Sequence, residues 1–132
     1  MSVLTQLDAA SNGLLYSSES DRPFEPVVLP DPSPSSPLDE AYLRRVLQLP
    51  PSVRCEVRSI DDVLARHTHR TDPYDVETQR IRPRYEALQA VLEGALRESV
   101  AVRVGQVEVR LWLIGRVPTG GIAGVVTVAI ET

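Results

Sequence analysis

The closing third of the chain constrains the fold most. Val100 to Val104, Val107 to Ile114 and Ile122 to Ile130 are runs dense in β-branched residues, which suit a pleated, half-buried surface. Gly105-Gln106 and Pro118-Thr119-Gly120-Gly121 stand between them, and these are residues of tight reversals. Short turns between consecutive strands predict a three-strand antiparallel meander.

The preceding segments supply what must cover it. Val3, Leu4, Leu7 and Ala10 fall at helical spacing, and Asn12-Gly13 tolerates the left-handed backbone that ends a helix. Leu14 to Asp21 begins apolar and runs into turn-forming side chains, which places it at the surface. Phe24 to Leu29 reads as a strand in which Pro26 requires an edge or end position. Residues 30–37 form a proline and serine tract, an extended loop that cannot build a core.

A second helix is expected over Leu38 to Leu49, stopped by Pro50-Pro51, followed by a half-buried strand from Val53 to Val57. Ser59 offers an N-cap for a short helix to about Arg66. Between Asp75 and Glu98, the apolar residues Ile81, Tyr85, Leu88, Leu92 and Ala95 mark one face of a long amphipathic helix. Pro83 would break its interior, so the regular helix is expected to start near Arg82. Together these elements predict an α+β fold, with one sheet covered by helices. The 132 residues fit one domain, 1–132, and the 42% hydrophobic and 24% charged content is that of a chain with a real core.

Composition removes several chemistries. All fourteen basic residues are Arg, so a Lys Schiff base and a phosphate-loop Lys are excluded. They are scattered singly or in pairs, and the formal net charge is -4, which disfavours direct nucleic-acid binding. An acidic chain is instead suited to a partner with a basic cleft. Cys55 is the only cysteine, so an intrachain disulfide and a cysteine metal cluster are excluded, and its place beside Val53 and Val57 marks it as a small buried hydrophobe. With no signal-like leader and no stretch long enough to span a bilayer, the expected location is the cytoplasm.

The remaining polar clusters have ordinary readings. His67-Thr68-His69 with Asp72 and Asp75 offers metal-ligand types, but alternating imidazoles converge only in an extended segment, and a solvated loop accounts for them equally. Ser17, Ser18 and Ser20 beside Glu19 lack a base and an oxyanion hole, so turn hydrogen bonds explain them. Gly115, Gly120, Gly121 and Gly124 lead into a strand rather than a helix N-terminus, which fits turns and close packing instead of phosphate binding. The residue chemistry favours a noncatalytic domain without a cofactor or metal of its own.

Two terminal motifs carry a resemblance. Gly13-Leu14-Leu15-Tyr16-Ser17-Ser18-Glu19-Ser20-Asp21-Arg22-Pro23-Phe24-Glu25 resembles the Gly-Leu-Leu-aromatic, Ser-Glu-Ser-acid, Pro-Phe-Glu pattern of the nuclease A inhibitor family. Gly105 to Val109, Ile114-Gly115, Pro118, Gly120, Ile122-Ala123-Gly124, Thr127 and Glu131-Thr132 look like that family's closing strands. The resemblance implies a three-layer α/β/α sandwich with a largely antiparallel sheet. It also implies a protein, monomeric when free, that inhibits a sugar-nonspecific, magnesium-dependent DNA/RNA endonuclease by plugging its active site.

Carried over position by position, Glu19 matches the glutamate that pairs with a nuclease cation, and Thr132 matches the terminal threonine whose hydroxyl approaches the nuclease's metal. The central loop departs from the pattern: Thr71-Asp72-Pro73-Tyr74 stands where the family has Gln-Asp-Trp-Tyr. Losing an aromatic anchor there could change the target or weaken the grip on it. A non-inhibitory interaction or regulatory module on the same fold is the alternative, and a metal enzyme using His67 and His69 a third reading.

Overall fold

The computed structural model describes residues 2–132. Helix α1 (Val3–Ser11) begins where the Ser2 hydroxyl accepts the Thr5 N–H at 3.2 Å, and ends before Gly13, whose φ of 75° is costly for a residue with a side chain. Strands β1 (Leu15–Ser17) and β2 (Asp21–Pro23) pair antiparallel as a hairpin. Then follow β3 (Glu25–Leu29), α2 (Glu40–Val46), β4 (Cys55–Arg58), α3 (Ile60–Thr68), α4 (Val76–Ala95), β5 (Arg97–Val104), β6 (Glu108–Arg116) and β7 (Ile122–Ile130).

The main sheet has five strands in the order β3-β7-β6-β5-β4, every neighbouring pair antiparallel. The expected meander forms its centre. Pro26 lies on β3, at an edge, where a missing amide donor is tolerated. The fold is therefore α+β, as the strand and helix periods predict.

Alternation along the strands sorts the core into two clusters. Ala101, Val109, Leu111, Leu113, Ala123 and Val125 pack with side chains of α1, α3 and α4. Val102, Ile114, Ile122 and Cys55 belong to the other cluster, with Tyr42, Leu43 and Val46 of α2. Since neighbouring residues of a strand point to opposite faces, both faces of the sheet are apolar and both carry helix. Leu88 and Leu92 of α4 and Leu64 of α3 are fully buried, each such side chain contributing about 2 kcal/mol of hydrophobic free energy. Gly124 of β7 is the most closely approached of the described glycines: a Cβ there would overlap the Leu113 carbonyl oxygen.

Three expectations need correction. Helix α4 begins at Val76 rather than near Arg82, with Pro83 inside it. The proline forfeits one helical hydrogen bond, a cost of about 3 kcal/mol relative to alanine. Asp75 offsets part of this by capping: its carboxylate accepts the backbone N–H of Glu77 at 3.1 Å and the Thr78 hydroxyl at 2.8 Å. Burial of Tyr85, Leu88 and Leu92 does the rest.

Second, the 14–21 segment is not simply surface: Leu14 and Tyr16 are 1% and 4% exposed, while Leu15 between them and Glu19 and Asp21 beyond face out. The Tyr16 hydroxyl donates to the Val63 carbonyl of α3, which satisfies its polar end in the core.

Third, the proline and serine tract is fastened to the core. Arg116 of β6 donates through Nε to Asp31 Oδ2 at 2.9 Å and through Nη2 to the Ser33 carbonyl at 3.2 Å. The Asp31 carboxylate also accepts the Tyr42 hydroxyl, and that hydroxyl accepts the Ser33 N–H. From the opposite side, Arg116 Nη1 reaches Glu98 at 3.0 and 3.1 Å. Glu98 occupies an irregularity in β5 with φ 56°, and Gly115 leaves the room for it, since a Cβ there would meet Leu96 Cβ at 2.9 Å.

Candidate functional site

The turn of the β1–β2 hairpin presents Glu19. Ser18 N–H donates to the Ser20 carbonyl at 2.9 Å, closing a tight reversal that leaves Glu19 at its exposed tip. The end of β7 and the residues after it are threaded beside it. Ile130 N–H donates to the Ser18 hydroxyl oxygen at 2.9 Å, and Glu19 N–H donates to the Ile130 carbonyl at 3.3 Å. On the other side, Glu131 N–H donates to the Val107 carbonyl at 2.8 Å.

That backbone placement brings two residues singled out by the sequence together. Thr132 N–H donates to Glu19 Oε2 at 3.0 Å, and the Thr132 hydroxyl lies 2.7 Å from both carboxylate oxygens. Among the described residues the Glu19 carboxylate has no cationic partner and is held only by the neutral donors of Thr132. Ser17, Ser18 and Ser20 build the turn: Ser18 supplies its bonds, and no base stands against any of their hydroxyls among the described residues.

Helix α3 supports the hairpin from below. Arg66 donates to the Ser17 carbonyl, and His67 Nε2 accepts the Ser17 N–H at 3.2 Å, which requires the Nδ1-protonated tautomer. The His67 ring stacks on Tyr85 at 4.0 Å with a 9° interplanar angle, and the Tyr85 hydroxyl donates to the Leu15 carbonyl at 2.6 Å. Burial, aided by the Arg66 charge and opposed by Asp21, lowers the His67 pKa from 6.5 to about 4.

Because the unfolded chain binds a proton that folded His67 refuses, stability should fall as pH drops from about 6.5 to about 4. The expected loss is about 2 kcal/mol, less than the full linkage value because part of the ring remains solvated. Chemical unfolding across that window checks it, and His67→Phe should flatten the slope.

His69 goes elsewhere. As the C-cap of α3 it pairs with Asp61 at 2.9 Å, so the two histidines do not converge, and no group of three metal-ligating side chains lies together among the described residues. The 71–74 segment connects α3 to α4. Asp72 Oδ1 accepts the Tyr74 N–H at 2.9 Å, and Gln79 Nε2 reaches Thr71 Oγ1 at 3.3 Å and the Asp72 carbonyl at 2.9 Å. Pro73 is exposed and Tyr74 is 92% exposed. Among the described residues, no hydrogen bond or ion pair joins this loop to Glu19 or Thr132.

A family model described as NuiA, nuclease A inhibitor-like protein, matches residues 1–132. No curated protein shows significant similarity to the chain.

Proposed function

Since the chain belongs to the nuclease A inhibitor-like family over residues 1–132, a family of nuclease inhibitors in general, we propose that it blocks the active site of a sugar-nonspecific, magnesium-dependent DNA/RNA endonuclease. The observation that carries this reading is the exposed Glu19 carboxylate, held by the N–H and hydroxyl of Thr132 and without a cationic partner among the described residues. A nuclease must offer positive charge where it grips a phosphate, and a carboxylate on a rigid tip can take that place. Holding the tip by backbone bonds to Ile130 lowers the entropy lost on docking.

In this reading Glu19 makes the ion pair, Thr132 turns its hydroxyl toward the target's metal, and Thr71, Asp72, Pro73 and Tyr74 form a flanking contact. The metal is the nuclease's, since magnesium prefers oxygen ligands and retains exchangeable waters. The inhibitor itself acts without catalysis or cofactor, as a single domain and a monomer, in the cytoplasm. Among the described residues no helix is long and apolar enough to cross a membrane.

Titrating a magnesium nuclease that cleaves both DNA and RNA with the purified protein should abolish cleavage near equimolar addition. Full activity at large excess of the protein, against every such nuclease encoded beside it, would overturn the assignment. A second reading, a regulatory module that binds a partner other than a nuclease, is favoured by Pro73 standing where the family has an aromatic anchor. Affinity capture recovering a defined partner and no nuclease would select it.

A further inference from the structure

The arginines dispersed along the sequence are gathered by the fold. Arg58 of β4, Arg66 of α3, Arg70 just beyond it and Arg103 of β5 line one open cleft of about 360 Å³, with Asp62 and Glu131. Four guanidiniums thus face the two carboxylates of the lining and, through Arg58 and Arg103, that of Glu56, a local excess of one positive charge in a chain of formal net charge -4. Both lining carboxylates are already engaged: Asp62 pairs with Arg58 at 3.0 Å, and Glu131 pairs with Arg103. Glu56 is drawn to both of those arginines as well. The excess therefore resides on the other two. Arg66 gives a guanidinium N–H only to the neutral Ser17 carbonyl, and the guanidinium of exposed Arg70 makes no hydrogen bond or ion pair among the described residues.

The character of the cleft selects among anions. Guanidiniums arriving from two strands and a helix end offer donors from several directions, whereas a planar carboxylate is satisfied by one fork. Tetrahedral phosphate oxygens accept from all of them. The walls are almost wholly polar, and the one aromatic ring, Tyr16, is already covered by the Arg66 guanidinium at 5.4 Å and flanked by Phe24 and His67. No bare face is left on which a nucleobase could stack.

We propose that this cleft binds a compact polyphosphate anion of pyrophosphate size, held by Arg66 and Arg70 with help from Arg58 and Arg103. The site is formed by the free chain and does not rest on the inhibitory reading. Calorimetric titration of the full chain with pyrophosphate at physiological salt should give saturable one-to-one binding. Arg70→Ala should weaken it about tenfold, the scale of losing charge-assisted hydrogen bonds. Arg80→Ala, which removes the same charge from a residue outside the cleft that pairs with Glu77, should leave affinity unchanged, and circular dichroism should show both variants folded.

Absence of saturable binding overturns the proposal. So does equal weakening by both substitutions, which would mark diffuse counterion attraction. Tighter binding of a short single-stranded oligonucleotide than of pyrophosphate, with a steep salt dependence, would make the surface a nucleic-acid track and overturn it too.

Discussion

Replacing Arg116 with methionine is expected to lower the unfolding free energy by about 3–5 kcal/mol, the range for breaking a buried ion pair from one side. The Arg116 and Asp31 side chains are 4% and 3% exposed, so the carboxylate left behind cannot recover its hydration. It would keep only the Tyr42 hydroxyl. The Ser33 carbonyl would lose one of its two donors as well, keeping only the Ser36 N–H, and with the Arg116 bond goes a fastening of the proline and serine tract. Urea unfolding of the two proteins measures the difference. Arg116→Met combined with Asp31→Leu should recover much of it, because the cost lies in the orphaned charge more than in the lost attraction.

The same pair predicts an acid dependence with a definite sign. The hydrogen bond from Arg116 is the main influence holding the Asp31 pKa below the ordinary aspartate value, against the opposing effect of burial. A depressed carboxylate adds stability above its unfolded value near 3.9, and that stability is lost as pH falls through the lower folded value. In Arg116→Met the burial effect is no longer outweighed, so the carboxyl is pushed upward and protonation relieves the fold. The gap between wild type and variant should therefore begin to narrow as pH falls through the variant's raised value, above about pH 4, and go on narrowing below it as the wild type loses its own contribution. A gap that stays constant to pH 2 would show that Asp31 is not the group responsible.

What the sequence discloses and what it withholds divide along contact range. The meander is legible because its turns are local and its alternation is strict, and the edge position of Pro26 follows from one missing amide. Asp39 and Ser59 cap the helices they introduce through bonds spanning three residues. Pro83 misleads because its cost is local whereas the capping by Asp75 and the burial of Tyr85, Leu88 and Leu92 that offset it come from both ends of the helix.

Arg116 gives no local signal at all: its partners lie 85 and 18 residues away. The clustering of Arg58, Arg66, Arg70 and Arg103 is hidden for the same reason, since three connected elements must fold before they share a cleft. Glu19 and Thr132 are 113 residues apart, and only the family pattern names them together; the hydrogen bonds between them have no signature in composition or spacing.

If Glu19 occupies the phosphate-gripping position of a nuclease, Glu19→Gln should weaken the complex about a hundredfold or more. That is the scale of removing one partner from a desolvated, hydrogen-bonded charge pair at an interface. Glutamine keeps the shape of the tip, and its carbonyl oxygen can still accept from Thr132. The bonds that set the turn, Ser18 to Ile130 and Glu19 N–H to Ile130, involve no part of the carboxylate. Folding stability should accordingly change by less than about 0.5 kcal/mol, as for surface substitutions in general. Thr132→Val should weaken the complex less, since the Thr132 N–H still holds Glu19 Oε2 when the hydroxyl is gone.

Ionic strength separates charge from shape: rising salt should slow wild-type association more than that of Glu19→Gln, because only the former carries the exposed steering charge. Inhibition constants measured at two salt concentrations for the three proteins decide the matter. Equal potency of wild type and Glu19→Gln would remove the carboxylate from the mechanism and shift the search for the contact to the exposed Pro73-Tyr74 loop.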